Sequence, residues 1–322
     1  MRYTITAAAV LTLSTGAALA DYPERGITMI VAWAAGGGTD AIARTVAAGL
    51  EEELGVNVTV VNRDGGSGVI GHTAMVNADA DGYTIGFASA DLLGYYWTGN
   101  ADLTAKEVTP IGLVNVDPGA FHVSTSSGWQ DANAALEVIR NSERGEYKMS
   151  GSSVGGAFHL AFAGFLQSQG IDPLQVTMVP SQGAAPGFQS LAAGGVQIIN
   201  SSLPEGQAMM QAGRSVPLAV FADERVATFP DVPTVAEATG TPFSGGNFRG
   251  VVGPAGMDEA VVARLEDAVE AVYNSDNFQS FMAKQGYGAR YMAGGEFGEF
   301  LTQTQQSFGE TLQAIGLAQR TE

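Results

Sequence analysis

The stretch "VAWAAGGGTDAIAR", Val31 to Arg44, decides the reading of this chain. It closes an apolar run of strand length, Ile27–Ala32 ("ITMIVA"), and passes through three consecutive glycines, Gly36 to Gly38. Beyond them Ile42, Ala43, Val46, Leu50 and Leu54 recur at helical spacing, and Thr39 or Asp40 can cap the helix. A glycine turn between a strand and a helix brings a ligand close to the backbone with no Cβ in the way. It also aims free N–H groups, at the positive end of a helix, toward an anion.

Working outward, the same design recurs. "VNVTVVN" (Val56–Asn62) is a β-branched strand, "RDGGSG" (Arg63–Gly68) a second glycine turn, Val69–Val76 a helix and "GYTIGFAS" (Gly82–Ser89) a third strand. Further on, Ser150–Gly156 leads from "YKMS" into an amphipathic helix at Gly156–Gln169, and Ser181–Ala185 leads from "VTMVP" into another. Strands alternating with helices predict an α/β fold, with mixed, mainly parallel sheets flanked by helices. Ligands of open α/β sheets sit at the carboxyl ends of strands. Such turns in both halves of the chain predict a cleft lined from two sides.

The 322 residues suffice for two domains, and the formal net charge is −18. That balance argues against a nucleic-acid or anionic-membrane partner. The absence of cysteine excludes thiol catalysis, and three scattered histidines offer no metal cluster, so no cofactor is expected. Residues 1–20 read as a secretory signal: Arg2, the apolar "TITAAAVLTLSTGAA", then "ALA" at 18 to 20. Export without disulfides fits a bacterial periplasm.

Two motifs resemble those of enzymes. "GGGTD" lacks the Lys of a P-loop, and Ala41 stands at the last glycine of G-x-G-x-x-G. "GSSVG" (Gly151–Gly155) matches G-x-S-x-G between a strand and a helix, with Ser153 as nucleophile. The usual order is serine, acid, histidine; here the histidines are His72, His122 and His159, and none follows in the required place. A secreted serine hydrolase using Ser153 is the second reading.

The mature sequence resembles the solute receptors of tripartite tricarboxylate transporters. The resemblance rests on the Tyr22–Pro23 pair, "AAGGGTD", "NRDGGSG", "ADGYTIGFAS", "SGSSVGGAFHLA", "GAAPGFQSLAAGGVQ", "FPDVPTVAEA" and "FRGVVGPAGM", in order along the whole mature chain. It implies a type II-like periplasmic binding protein of two lobes joined by two crossings, with residues 21–123 plus 223–322 in one and 124–222 in the other. It implies a monomeric, non-catalytic receptor. The receptor would capture a di-/tricarboxylate or aromatic acid and deliver it to a permease of one large and one small membrane subunit, without inserting into the membrane itself. The ligand contacts it implies are Trp33, Ala35, Gly37, Gly38, Thr39 and Asp40 in the first turn, then Ser67, Gly68 and Ser89. The second lobe adds Ser152, Ser153, Gly183 and Ala184, and a cleft-edge strand adds Phe248 and Arg249. Arg249 is read either as a partner for a second carboxylate or as a surface ion pair. The sequence departs from the family at Ser181, at Trp33 (a Phe is usual), and at Gln197, where an acid able to meet an amino group often stands; the last change disfavours an amino-acid ligand.

Overall fold

The computed structural model describes residues 22–320; the signal segment read at 1–20 lies outside them. The first lobe opens with β1 (Ile27–Val31), α1 (Gly38–Leu54), β2 (Val58–Asn62), α2 (Val69–Val76), β3 (Thr84–Ser89) and β4 (Val108–Pro118). The expected helical stripe of α1 is buried from Ile42 to Leu54, and Gly55 ends the helix in the left-handed conformation at φ 71°. The second lobe holds β5 (Ala120–Ser124), α3 (Ala132–Asn141), β6 (Tyr147–Ser150), α4 (Ala157–Ser168), β7 (Val176–Met178) and α5 (Ala184–Ala192). It continues through β8 (Ile198–Ser201), α6 (Leu203–Gln211), β9 (Ser215–Val220) and α7 (Val235–Thr239). The chain then returns to the first lobe with β10 (Gly246–Pro254), α8 (Glu259–Asn274), α9 (Asp276–Gln285), β11 (Ala289–Ala293) and α10 (Gly294–Ala314).

Each lobe is built on one mixed sheet, in the orders β11-β4-β10-β3-β1-β2 and β7-β6-β8-β5-β9. The sequential β-α-β units pair in parallel, β1 with β2 and β3, and β6 with β7 and β8. Strands reached by the crossings, β10 and β5, pair antiparallel with their neighbours. The antiparallel share is therefore larger than strand–helix alternation alone suggests.

Both crossings differ from the expected boundaries. β5 belongs to the second sheet, so the outward crossing falls at Gly119 rather than after residue 123. Val232, Val235 and Phe243 pack into second-lobe clusters, so the return crossing falls near Gly245 rather than at 222/223. The reason is backbone pairing. Gly119 N–H donates to Gly245 O at 2.8 Å, Gly245 N–H to Phe221 O at 3.0 Å, and β4 and β10 continue side by side from Pro118 and Gly246. A third junction is apolar: Trp97, Leu312 and Ile315 pack on Leu160 and Ala163 of α4. Among the described residues no helix is long and apolar enough to cross a membrane.

Candidate functional site

Between the lobes lies a narrow, partly open cavity of about 30 Å³. From the first lobe it is walled by Trp33, the α1 turn at Gly37–Thr39, Asp91, Asn247 and Arg249; from the second by Ser152, Gln182–Pro186 and Glu205. Several of the helices that open here start from glycine with no side-chain cap: α1 from Gly37, α4 from Gly156 and α5 from Gly183. Their first-turn N–H groups have no intrahelical partner, so they are free for groups from outside the helix. Gly183 sits at φ 120°, a conformation that side chains rarely adopt.

The charged groups form two buried clusters. Arg249 is 1% exposed. It donates through Nε to Thr39 Oγ1 at 2.8 Å and through Nη1 to Asn115 at 2.7 Å and Asp117 at 2.6 Å. Nη2 reaches Glu205 Oε1, across the cleft, at 3.1 Å. Burial works against the guanidinium charge, but Glu205 and Asp117 outweigh it and hold Arg249 firmly cationic. Burial pushes the Asp117 carboxyl up, against the pull of Arg249. The second cluster centres on Asp91. Its Oδ1 accepts from Ser152 and Ser153 at 2.9 and 3.1 Å, and its Oδ2 from Ser89 and Asn247 at 2.9 and 3.2 Å. Four neutral donors fill the carboxylate's acceptor positions. Among the described residues no group of three or more His, Asp or Glu side chains is placed to hold a metal ion.

Of the residues expected from the sequence, Trp33, Gly37, Gly38, Thr39, Ser152, Gly183, Ala184 and Arg249 line the cavity. The others stand elsewhere. Ala35 is exposed, and its neighbour Ala34 takes the lining position, with its N–H directed to Gln182 O at 3.4 Å. Asp40 turns back on its own loop, accepting from Gly36 N–H, Arg44 and Asn62. Burial alone would raise its pKa, but those bonds and the Arg44 charge hold it below the usual carboxylate value. Gly68 lies behind Trp33, where a Cβ would stand 3.1 Å from the indole, and Ser67 lies outside the cavity, its carbonyl accepting from Tyr95 OH at 2.9 Å. Ser89 is also one layer back, accepting from Trp33 Nε1 at 3.0 Å. Ser153, 1% exposed, has Asp91 for its partner, while His159 Nδ1 accepts from Gly155 N–H at 2.9 Å. Among the described residues no histidine bonds to Ser153, so the serine–histidine pair of the hydrolase reading is not formed. Phe248 packs against Phe297 and Phe300 in the core. Strand alternation puts it on the face opposite Asn247 and Arg249. Arg249 is neither a surface pair nor a free cation, but a buried one already matched by acids.

Asp91, Gln182, Glu205 and Asn247 also line the cavity, beyond the residues expected from the sequence. Glu205 carried a signal: Ser202-Leu-Pro-Glu205 has the spacing of a capping box. Ser202 instead donates its hydroxyl to Glu205 Oε2 at 3.2 Å, with Ser201 at 2.5 Å, and aims the acid into the cleft. Asp91 stands two residues past the end of β3, at a carboxyl strand end like the turns that were read.

The sequence pattern described as the tripartite tricarboxylate transporter family receptor matches residues 42–317. A UPF0065 protein from the tcbD-tcbE intergenic region of Pseudomonas sp. is 32% identical over 263 residues, 80% of this chain and 77% of its own. BugT of Bordetella pertussis is 29% identical over 269 residues, 82% and 81% of the two chains. Among solved structures, R. palustris Rpa4515 with adipate has a TM-score of 0.83 at 27% identity, covering 92% of this chain and 99% of that one. The periplasmic binding protein BugD has a TM-score of 0.82 at 26% identity over the same shares. With its pattern matched over most of its length and its two lobes shared with these proteins, the chain belongs to the tripartite tricarboxylate transporter family of solute-binding receptors.

Proposed function

We propose that this receptor works in the periplasm, captures a small carboxylate between its lobes, and hands it to a permease of one large and one small membrane subunit. The observation that carries the reading is the set of glycine-capped helix starts opening on one inter-lobe cavity. Backbone N–H groups at a helix start bind anions without a positive side chain. Charge-assisted hydrogen bonds are worth about 1.5–3 kcal/mol each, so two or three give roughly micromolar capture after association costs. The structurally similar Rpa4515, solved with adipate, supports a carboxylate as ligand. The signal-like residues 1–20 support export.

The test is calorimetric titration of the purified protein with a panel of small mono-, di- and tricarboxylates and aromatic acids. Binding by at least one, lost in Gly37→Val, is the expected result. Gly37 has φ −83° and only Ala34 O within 4 Å of a Cβ position, so the substitution spares the fold while filling the cleft. Binding unchanged in Gly37→Val would show that this turn does not meet the ligand. No binding across the panel would remove the carboxylate reading.

A further inference from the structure

The cleft has three glycine-capped helix starts, and two of them already face a carboxylate from the opposite lobe. A Cβ on Gly38, at the start of α1, would stand 2.5 Å from Glu205 Oε1 and 2.9 Å from its Cδ. The Glu205 carboxylate, carried by α6 of the second lobe, therefore stands against Gly38 at the start of α1, with its hydrogen bonds coming from Ser201, Ser202 and Arg249. The reciprocal arrangement holds at α4 of the second lobe. A Cβ on Gly156 would fall on Asp91 Oδ1, so the carboxylate of first-lobe Asp91 rests on the start of α4, held by Ser152 and Ser153. At α5, apart from Gly183's own chain neighbours, only Trp33 Cε3 comes within 4 Å of the Gly183 Cβ position, and no side chain caps the helix.

We infer that Glu205 and Asp91, standing against the starts of α1 and α4, keep a ligand carboxylate away from both by bulk and charge, so that the cleft takes a ligand bearing a single carboxylate. That carboxylate meets the start of α5. The body of the ligand lies along Trp33, and its far end, facing Glu205 and Asp91, is neutral or cationic. The inference rests on the carboxylate-receptor reading and narrows it. Charge points the same way. Arg249 is matched by Asp117 and Glu205, and Asp91 has no cation among its partners. The four ionic groups around the cavity thus sum to a negative charge before any ligand enters. A second ligand carboxylate would meet two acids at short range inside a poorly screened site. A donor there would instead find Glu205 Oε1, which accepts one hydrogen bond where Oε2 accepts two. Gln197 does not bear on the matter: it accepts from Lys148 N–H on β6, away from the cavity lining.

The experiment compares ligands matched in length by calorimetry: hexanoate, 6-aminohexanoate and adipate, and likewise butyrate, 4-aminobutyrate and succinate, with benzoate and phthalate as the aromatic pair. In the wild-type protein at least one single-carboxylate ligand is expected to bind tenfold or more tighter than its dicarboxylate partner. In Glu205→Gln, which keeps an oxygen for Arg249, dicarboxylate affinity is expected to rise at least tenfold. Wild-type preference for the dicarboxylate of every pair would overturn the inference while leaving the carboxylate receptor intact. If none of these acids binds, the inference falls together with the reading beneath it. The wild-type comparison decides the matter even if Glu205→Gln does not fold.

Discussion

Replacing Arg249 with Met tests whether the charged network is as buried as its geometry implies. Met has comparable length and no charge, so the packing against β10 survives while the guanidinium is lost. Four acceptors, Thr39, Asn115, Asp117 and Glu205, lose a donor at 2.6 to 3.1 Å. Removing one partner of a buried ion pair costs about 3–5 kcal/mol, because the remaining charge is left desolvated. The remaining neutral donors limit the damage: Asp117 keeps Gly288 N–H at 2.8 Å and Asn115 at 3.0 Å, and Glu205 keeps the hydroxyls of Ser201 and Ser202. The expected loss at pH 7 is therefore about 3–5 kcal/mol in urea unfolding followed by tryptophan fluorescence. Its pH dependence has a defined sign. Burial already raises the Asp117 pKa, and loss of Arg249 raises it further. A carboxyl whose folded pKa exceeds its unfolded value costs stability once pH rises above the unfolded value. The gap between wild type and Arg249→Met should therefore narrow as pH falls from 7 toward 4. Adding Asp117→Asn and Glu205→Gln to Arg249→Met should recover most of the loss, since neutral groups remain. A single variant within 1 kcal/mol of wild type at pH 7, or a gap independent of pH, would refute the reasoning.

Burial lowers the pKa of His72 and His159 to about 4 and of His122 to about 3, so all three are neutral in the folded protein at pH 7. The unfolded chain takes up protons below about pH 6.5, so stability should hold from pH 7 to 6.5 and fall from there toward pH 4. Each histidine adds up to about 1.4 kcal/mol per pH unit to that slope. Equal unfolding free energies at pH 7 and 5 would contradict it. Gly94→Ala should prop the lobe junction open, because a Cβ there would run into the Gly155 carbonyl oxygen of the other lobe. At least tenfold weaker binding of whichever acid the panel identifies, with unchanged circular dichroism, is the expected result; unaltered affinity would show that the junction yields.

The first turn was legible because its signals are contiguous. An apolar run, three glycines and a helical stripe all point to one strand–turn–helix, and Trp33, Gly37, Gly38 and Thr39 do face the cavity. Asp40 misled because a residue three past the N-cap on α1 also lies within reach of i+4, and Arg44 takes it there. Phe248 was separable from Arg249 in principle, since neighbours on a strand face opposite sides. Ala35 missed by one residue, which the path of a turn does not reveal. Glu205 and Asp91 were out of reach for a different reason. Their partners lie in the other lobe, Arg249 at 44 residues and Ser152 at 61 residues' separation, and nothing in local periodicity encodes which acid meets which helix. α9 and β11 went unread in the long C-terminal segment. "ARYMA" shows little alternation, with only Met292 fully buried.

The distribution of helix caps explains how a chain with net charge −18 can hold an acid at all. Four helices remote from the cavity are capped by their own side chains, α3 by Asp131, α7 by Thr234, α8 by Asp258 and α9 by Ser275, while α2 and α10 start from Gly68 and Ala293 without one. Those opening toward the other lobe, α1, α4 and α5, start from glycine instead. At an N-cap, glycine costs only a few tenths of a kcal/mol relative to serine or aspartate, so the exchange is nearly neutral for the helix. What it changes is availability: the first-turn N–H groups stay open to a carboxylate arriving from across the cleft. Surface charge acts over a screening length of about 8 Å at physiological salt, whereas these donors act at hydrogen-bond distance. The local term therefore wins over the global one. Because Glu205 and Asp91 bring their carboxylates from opposite lobes to such helix starts, closure and anion recognition draw on the same groups.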